Sequence, residues 1–199
     1  MNKLASIYYL QSLGLPTQDN LFIYQKGKEK LLENTCLKIG GSWCIRCAEK
    51  PDMQANMEIK LPWGLAPAEA VISKIKEIWN EVRGKYGVFI HPQRDMPKGG
   101  NLLVTGGEII IESVKGNYMD VSRLSRGTRN PDEIIRFRPG MLSFRKEGKE
   151  NLSTQEIAQL RWAERSLDYV IANALIAPVA IEFSFDGPRM YLHDVIVGN

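Results

Sequence analysis

Glu182, His193 and Asp194 lie in the stretch IEFSFDGPRMYLHD, residues 181–194. Period-two alternation from Ile181 to Phe185 predicts one strand, Asp186-Gly187-Pro188-Arg189 a turn, and Met190 to Asp194 a second strand. They place carboxylates on facing arms of a hairpin, at positions where a core strand would carry Val or Ile. Parity decides whether they can act together. A three-residue loop, Gly187-Pro188-Arg189, sets Glu182 opposite Asp194 with both facing one way. A two-residue loop sets Glu182 opposite His193 and turns Asp194 away. An exposed edge hairpin with solvated acids has the same composition.

Arg46 is the next residue that could do chemistry. It sits at the end of Trp43-Cys44-Ile45-Arg46, a short buried-strand candidate, where a surface ion pair is a less comfortable reading for a fork of cationic donors than a functional role. Lys3, taken by itself, reads as a solvated tail. Cys36, Cys44 and Cys47 contain one C-x-x-C pair. A structural zinc site needs four ligands, and His91 and His193 are far away in sequence, so buried reduced thiols are expected. Gly99-Gly100 and Gly106-Gly107 do not make the Walker pattern and are read as turns. Arg123, Arg126 and Arg129 are read as a solvated basic loop. No companion residues support a Ser-His-Asp or Cys-His nucleophile.

The elements that must position these groups are mixed. Ala5 to Leu13 predicts a short helix ending at Gly14, Leu21 to Tyr24 a strand, and Lys26 to Glu33 an exposed helix. A helix is expected over Pro67 to Arg83, with Ala70, Val71, Ile75, Ile78, Trp79 and Val82 on one face, followed by a strand at Val88-Phe89-Ile90. His91 to Gly100 is the candidate hinge. Leu102 to Thr105 and Glu108 to Ser113 predict a hairpin. Ser153, with Glu156 three residues on, predicts a capped helix running to about Asn173. Strands and helices in this order predict an α+β protein of two small lobes. The chain has 199 residues, 44% hydrophobic and 25% charged, with net charge +3. That is ordinary globular composition, without an apolar run of membrane-spanning length or the apolar core of a secretory leader, so a cytoplasmic protein is expected. The charge permits a polyanionic ligand without requiring nucleic acid.

Several short segments, in order, make the chain resemble the nucleotide-binding domain of the pyruvate phosphate dikinase and phosphoenolpyruvate synthase family, an ATP-grasp fold. They are Lys3, a helix and Gly14-Leu15-Pro16; Ile45-Arg46-Cys47-Ala48 with Asp52; Pro92-Gln93-Arg94-Asp95-Met96; Ile109-Ile110-Ile111-Glu112; and Ile181-Glu182-Phe183 with Met190-Tyr191-Leu192-His193-Asp194. The chain is shorter than the family domain. Asp194 stands where the family has glutamine and Ile196 where it has arginine.

The resemblance implies an ATP-grasp-like fold of two lobes, 1–97 and 98–199, with a nucleotide cleft between them. It implies ATP and Mg²⁺ as cofactors, with Lys3 and Arg46 on the phosphates, Gln93 and Glu112 on the nucleotide, and Glu182 and Asp194 on the metal. The three-residue loop is the alternative it supports. The activity implied is a dikinase-type phosphotransfer to an external acceptor, on a partner protein or a small molecule. The competing expectation is a degenerate scaffold that binds protein or RNA without catalysis, using the arginine-rich stretch 123–138. A carboxylate ligase is a third.

Overall fold

The computed structural model describes residues 3–49, 61–82, 85–141, 143–167 and 177–197. Asp52, Arg83 and Asn173, all invoked above, lie outside the described residues. By contacts the chain divides into two compact units. One is Ser6–Thr17 with Asp95–Asn199, and the other is Asn2–Ala5 with Gln18–Arg94. Among the described residues the strands form two antiparallel sheets, one in each unit. No helix among them is long and apolar enough to cross a membrane.

The smaller sheet has the order β1-β4-β2-β3, with β1 at Phe22–Ile23, β2 at Ser42–Ala48, β3 at Trp63–Pro67 and β4 at Gly87–Pro92. Because side chains alternate along a strand, Trp43, Ile45 and Cys47 of β2 point to one face. There they join Val88 and Ile90 in a cluster with Leu32 and Cys36 of helix α2, Glu29–Ile39, and Val71, Ile75 and Ile78 of helix α3, Val71–Glu81. Burying each of these aliphatic side chains stabilises the fold by about 1.5–3 kcal/mol. The α3 helix starts later than the sequence predicted. Pro67, with φ −65 and ψ 159, is extended and closes β3, and a 3₁₀ turn, Ala68–Ala70, comes before the helix. A fixed proline φ suits a strand end as well as a first helical turn.

The larger sheet has the order β10-β9-β5-β6-β7-β8. Its strands are β5 at Lys98–Val104, β6 at Ile109–Lys115, β7 at Glu133–Phe137, β8 at Arg145–Gly148, β9 at Val179–Asp186 and β10 at Arg189–Val197. One face buries Leu102, Ile111, Ile135, Ile181 and Phe183 against Leu10 of α1, Lys3–Ser12, and Ile157 and Leu160 of α5, Thr154–Arg165. The predicted cap opens α5: Ser153 Oγ accepts from Glu156 N, and Ser153 N donates 2.7 Å to the Glu156 carboxylate. That carboxylate, almost wholly buried, also pairs with Lys98 at 2.8 Å. The buried Glu133 accepts 2.9 Å from Leu152 N, so the chain entering α5 is anchored to β7. Among the described residues, the opposite face carries helix α4, Tyr118–Ser125, capped by Asn117 and Asp120 and packed through Val121 and Leu124 on Val114.

Gly99 and Gly100 are not a turn. Both lie inside β5, so the proposed hinge, residues 91–100, shrinks to the connection 93–97 between β4 and β5. Gly100 is required because its neighbours leave no room for a side chain. A Cβ there would stand 1.8 Å from the Glu112 carbonyl oxygen on β6, and one on Gly99 would stand 2.6 Å from the Phe183 carbonyl on β9. Gly106-Gly107, by contrast, is a true turn, and a Cβ on Gly107 meets nothing. Gly100→Ala should therefore cost about 3 kcal/mol or more of stability, since backbone on both sides must move. Gly107→Ala should change stability by less than about 1 kcal/mol. Chemical denaturation of the two variants checks this difference.

Candidate functional site

The terminal hairpin turns at Gly187-Pro188. Gly187 has φ 56, a value that favours glycine, and Asp186 pairs with Arg189, so the loop has two residues and not the three that the resemblance supported. A regular ladder would then set Glu182 opposite His193. It does not, because a β-bulge falls between Leu192 and Asp194: Leu192 pairs with Phe183, and Asp194 pairs with Glu182. The juxtaposition expected from the longer loop is therefore reached by another route. The inward-facing residues explain the bulge. Met190, Leu192 and Val195 are all buried, and their spacing leaves one extra residue for the ladder to absorb.

Register now builds a row across the open face of the sheet: Asp194 opposite Glu182, Glu182 opposite Asn101, Asn101 opposite Glu112. Glu112, Glu182 and Asp194 are half-buried. Asp194 Oδ1 accepts 3.0 Å from Val195 N, and Asn101 Oδ1 accepts 2.9 Å from Ser125 Oγ of α4. Beside the row, Ser184 Oγ and His193 Nε2 are 2.6 Å apart, and Ser184 also lies against Met96 Sδ. Met96, Val121, Ser122, Glu182, Ser184 and His193 line a cavity of about 20 Å³. Among the described residues no three His, Cys, Asp or Glu side chains are placed to hold a metal ion. Glu182 and Asp194 are a two-carboxylate set, which fits an ion that completes its shell with phosphate oxygens and water. Sequence reasoning missed Asn101. Its signal was an amide entering the apolar run Leu102-Leu103-Val104, hidden by the reading of the preceding glycines as a turn.

The smaller sheet positions the cationic candidates on the face away from its core. Cys44 and Arg46 point there by alternation, and across the ladder Cys44 pairs with His91 and Arg46 with Phe89. Lys3 begins α1 and is half-buried, so it is not the solvated tail that its position in the sequence suggested. Gln93 just follows β4, exposed, with its N–H bonded 2.7 Å to Ser42 O. His91 is 7% exposed and its Nδ1 lies 3.0 Å from Pro92 O. Burial pulls its pKa down to about 4, opposed by the Pro92 carbonyl and assisted by the charges of Arg46 and Lys3. His91 is thus a neutral imidazole near two cations.

The same alternation removes the zinc reading. Cys44 and Cys47 are three apart on a strand and face opposite sides, so the pair cannot chelate from β2. All three thiols are free and buried, and burial raises Cys36 to about 11, Cys47 to about 12, and Cys44 as well. The arginine-rich stretch is a solvated loop only in part, with Arg126 exposed in the turn that ends α4. Arg123 lies on α4, and Arg129 pairs with Asp120 at 2.6 Å and with Asp132 at 3.2 Å. Arg136 on β7 pairs with Glu108 at 3.3 Å.

No protein-family profile matches the chain, and no curated protein matches it. Solved structures do. D-alanyl-alanine synthetase A from Vibrio cholerae O1 is 10% identical with a TM-score of 0.59, over 97% of this chain and 54% of that one. ACD1 of Ca. Korarchaeum cryptofilum, in complex with coenzyme A, is 14% identical with a TM-score of 0.57, over 97% of this chain and 91% of that one. An ATP-grasp RimK domain protein from Sphaerobacter thermophilus is 12% identical with a TM-score of 0.51, over 97% and 59%. The chain therefore spans about half of the length of the synthetase. The fold is α+β and ATP-grasp, and at these identities the likeness carries the fold alone.

Because the folded-state pKa of His91 lies below its unfolded value, its neutral burial stabilises the protein fully above about pH 6.5, and this contribution is lost as pH falls toward 4. The loss is on the order of 3 kcal/mol. Urea melts between pH 7 and pH 4 should fall more steeply for the wild type than for His91→Leu.

Proposed function

We propose that this ATP-grasp chain binds ATP with Mg²⁺ and acts as a dikinase-type phosphotransfer module whose phosphoryl acceptor comes from outside the chain. The observation that carries the reading is the register that sets Asp194 against Glu182 and continues through Asn101 to Glu112. Two carboxylates set side by side are hard oxygen donors, and such pairs recur where a divalent metal is held. Glu182 and Asp194 would hold Mg²⁺, which when bound supplies charge neutralisation to the transferring phosphoryl group.

The chain's own cations do the rest of the electrostatic work. Arg46 would grip phosphate oxygens as a fork of donors, and Lys3 would add a point charge. A neutral His91 near them adds no third positive charge, which would have to be buried and would repel both. Gln93 and Glu112 would contact the base and ribose. The external acceptor follows from the histidines. His91 is buried, and Nε2 of His193 is engaged with Ser184, so neither ring can swing to receive and pass on a phosphoryl group. Non-catalytic binding of protein or RNA through residues 123–138 is less well supported, since Arg129 and Arg136 are already in ion pairs.

Glu182→Ala should abolish the Mg²⁺ requirement together with most of the affinity for ATP. Arg46→Ala should weaken ATP by roughly 10- to 100-fold, the value of a charge-assisted hydrogen bond, and leave adenosine nearly unchanged. Calorimetric titration with ATP and adenosine checks both, and equal weakening of the two ligands would make Arg46 a structural residue. With Mg²⁺-ATP alone, the purified chain should hydrolyse slowly and carry no acid-labile phosphate. Stable phosphate on His91 or His193, lost on substituting that residue, would contradict the external acceptor.

A further inference from the structure

His193 is the residue that the bulge adds to the open face. Without it, Met190, Leu192 and the following inward residue would keep strict alternation, and Asp194 would follow Leu192 directly. With it, two consecutive side chains, His193 and Asp194, share the face of Glu182 and Ser184. A bulge breaks the ladder locally and leaves one residue unpaired, so its backbone is held less firmly than regular strand. Here the inserted residue is tied down across the hairpin. The Ser184 hydroxyl, on a residue 3% exposed in a strand paired on both sides, meets His193 Nε2 at 2.6 Å. Either tautomer of the imidazole closes that hydrogen bond. The ring and the hydroxyl line the same small cavity as Glu182, together with Met96, Val121 and Ser122.

We propose that His193 and Ser184 are positioning residues for the carboxylate pair. Their hydrogen bond fixes the bulge, and the fixed bulge keeps Asp194 opposite Glu182, where the two carboxylates would hold a divalent ion. The inference rests on the Mg²⁺-nucleotide reading above and names what supports its metal ligands. The physical reason is preorganisation. Ligands whose supporting shell is loose must be ordered when the ion binds, and removing such support typically costs roughly 10- to 100-fold in metal affinity. The inward set Met190, Leu192 and Val195 keeps the register itself, so breaking the hydrogen bond loosens the ligands without unfolding the hairpin.

The test is a Mn²⁺ titration followed by electron paramagnetic resonance, in the presence of ATP, on the wild type, His193→Leu, Ser184→Ala and the double variant. His193→Gln, whose amide can still reach a hydroxyl, is the conservative control. The expected result is at least roughly tenfold weaker Mn²⁺ binding in each single variant, no further loss in the double variant, and partial recovery in His193→Gln. Metal-free ATP binding and the melting temperature of the ligand-free protein should stay near wild type. Wild-type Mn²⁺ affinity in the variants overturns the inference and leaves the nucleotide reading standing, and so does an equal loss of metal-free ATP binding, which would mark a general structural role. Absence of ATP-dependent Mn²⁺ binding in the wild type overturns the functional reading itself.

Discussion

β9 is hydrogen-bonded on both edges, to β5 and to β10, and its inward residues Val179, Ile181, Phe183 and Phe185 are completely buried. Slipping it by one residue would carry those four side chains to the open face and bring Glu182 and Ser184 into the core. The cost of burying a carboxylate without partners, added to the lost apolar burial, makes that slip prohibitive. Every polar group on the open face inherits its place from this register. Asn101 is set by pairing with Glu182, Glu112 by pairing with Asn101, and Asp194 by the bulge that reconciles a two-residue turn with the inward set of β10.

The glycines of β5 belong to the same constraint. Their missing side chains let β5 lie between the β6 and β9 backbones as the sheet requires, with the Glu112 and Phe183 carbonyls where a Cβ would be. A side chain there would push β5 away from one neighbour and disturb the row that begins at Asp194. Stability and the candidate site thus meet in two residues that carry no chemistry of their own.

Legibility in the sequence followed the range of the interactions. The α5 cap was readable because Ser153 and Glu156 satisfy each other within one turn. The hairpin at 181–194 was readable from alternation, and the pairing of Glu182 with Asp194 was one of the two outcomes that parity allowed. Its route was not foreseen, although the spacing of Met190, Leu192 and Val195 carries the signal of a bulge. Gly99-Gly100 was misread because a turn and a close backbone approach use the same residue for different reasons. The C-x-x-C pair looked like a chelate until β2 set its members on opposite faces. Helix α4 and strands β7 and β8 went unseen because their arginines and acids mask a short apolar pattern, and those charges pair only once the chain has folded. His91 is the plainest long-range case. Its neutrality comes from burial, opposed by the Pro92 carbonyl and assisted by cations supplied by α1 and β2, far away in the chain.

The central proposal is that a sheet of ATP-grasp fold presents a carboxylate pair that binds a cation and a nucleotide together. The most direct measurement is the melting temperature of the wild-type protein with ATP, with Mg²⁺, and with both. The account predicts a clear rise with Mg²⁺-ATP, equivalent to about 2.7 kcal/mol at a hundredfold excess over the dissociation constant, and much smaller rises with either component alone. An unchanged melting temperature at millimolar Mg²⁺-ATP would contradict it.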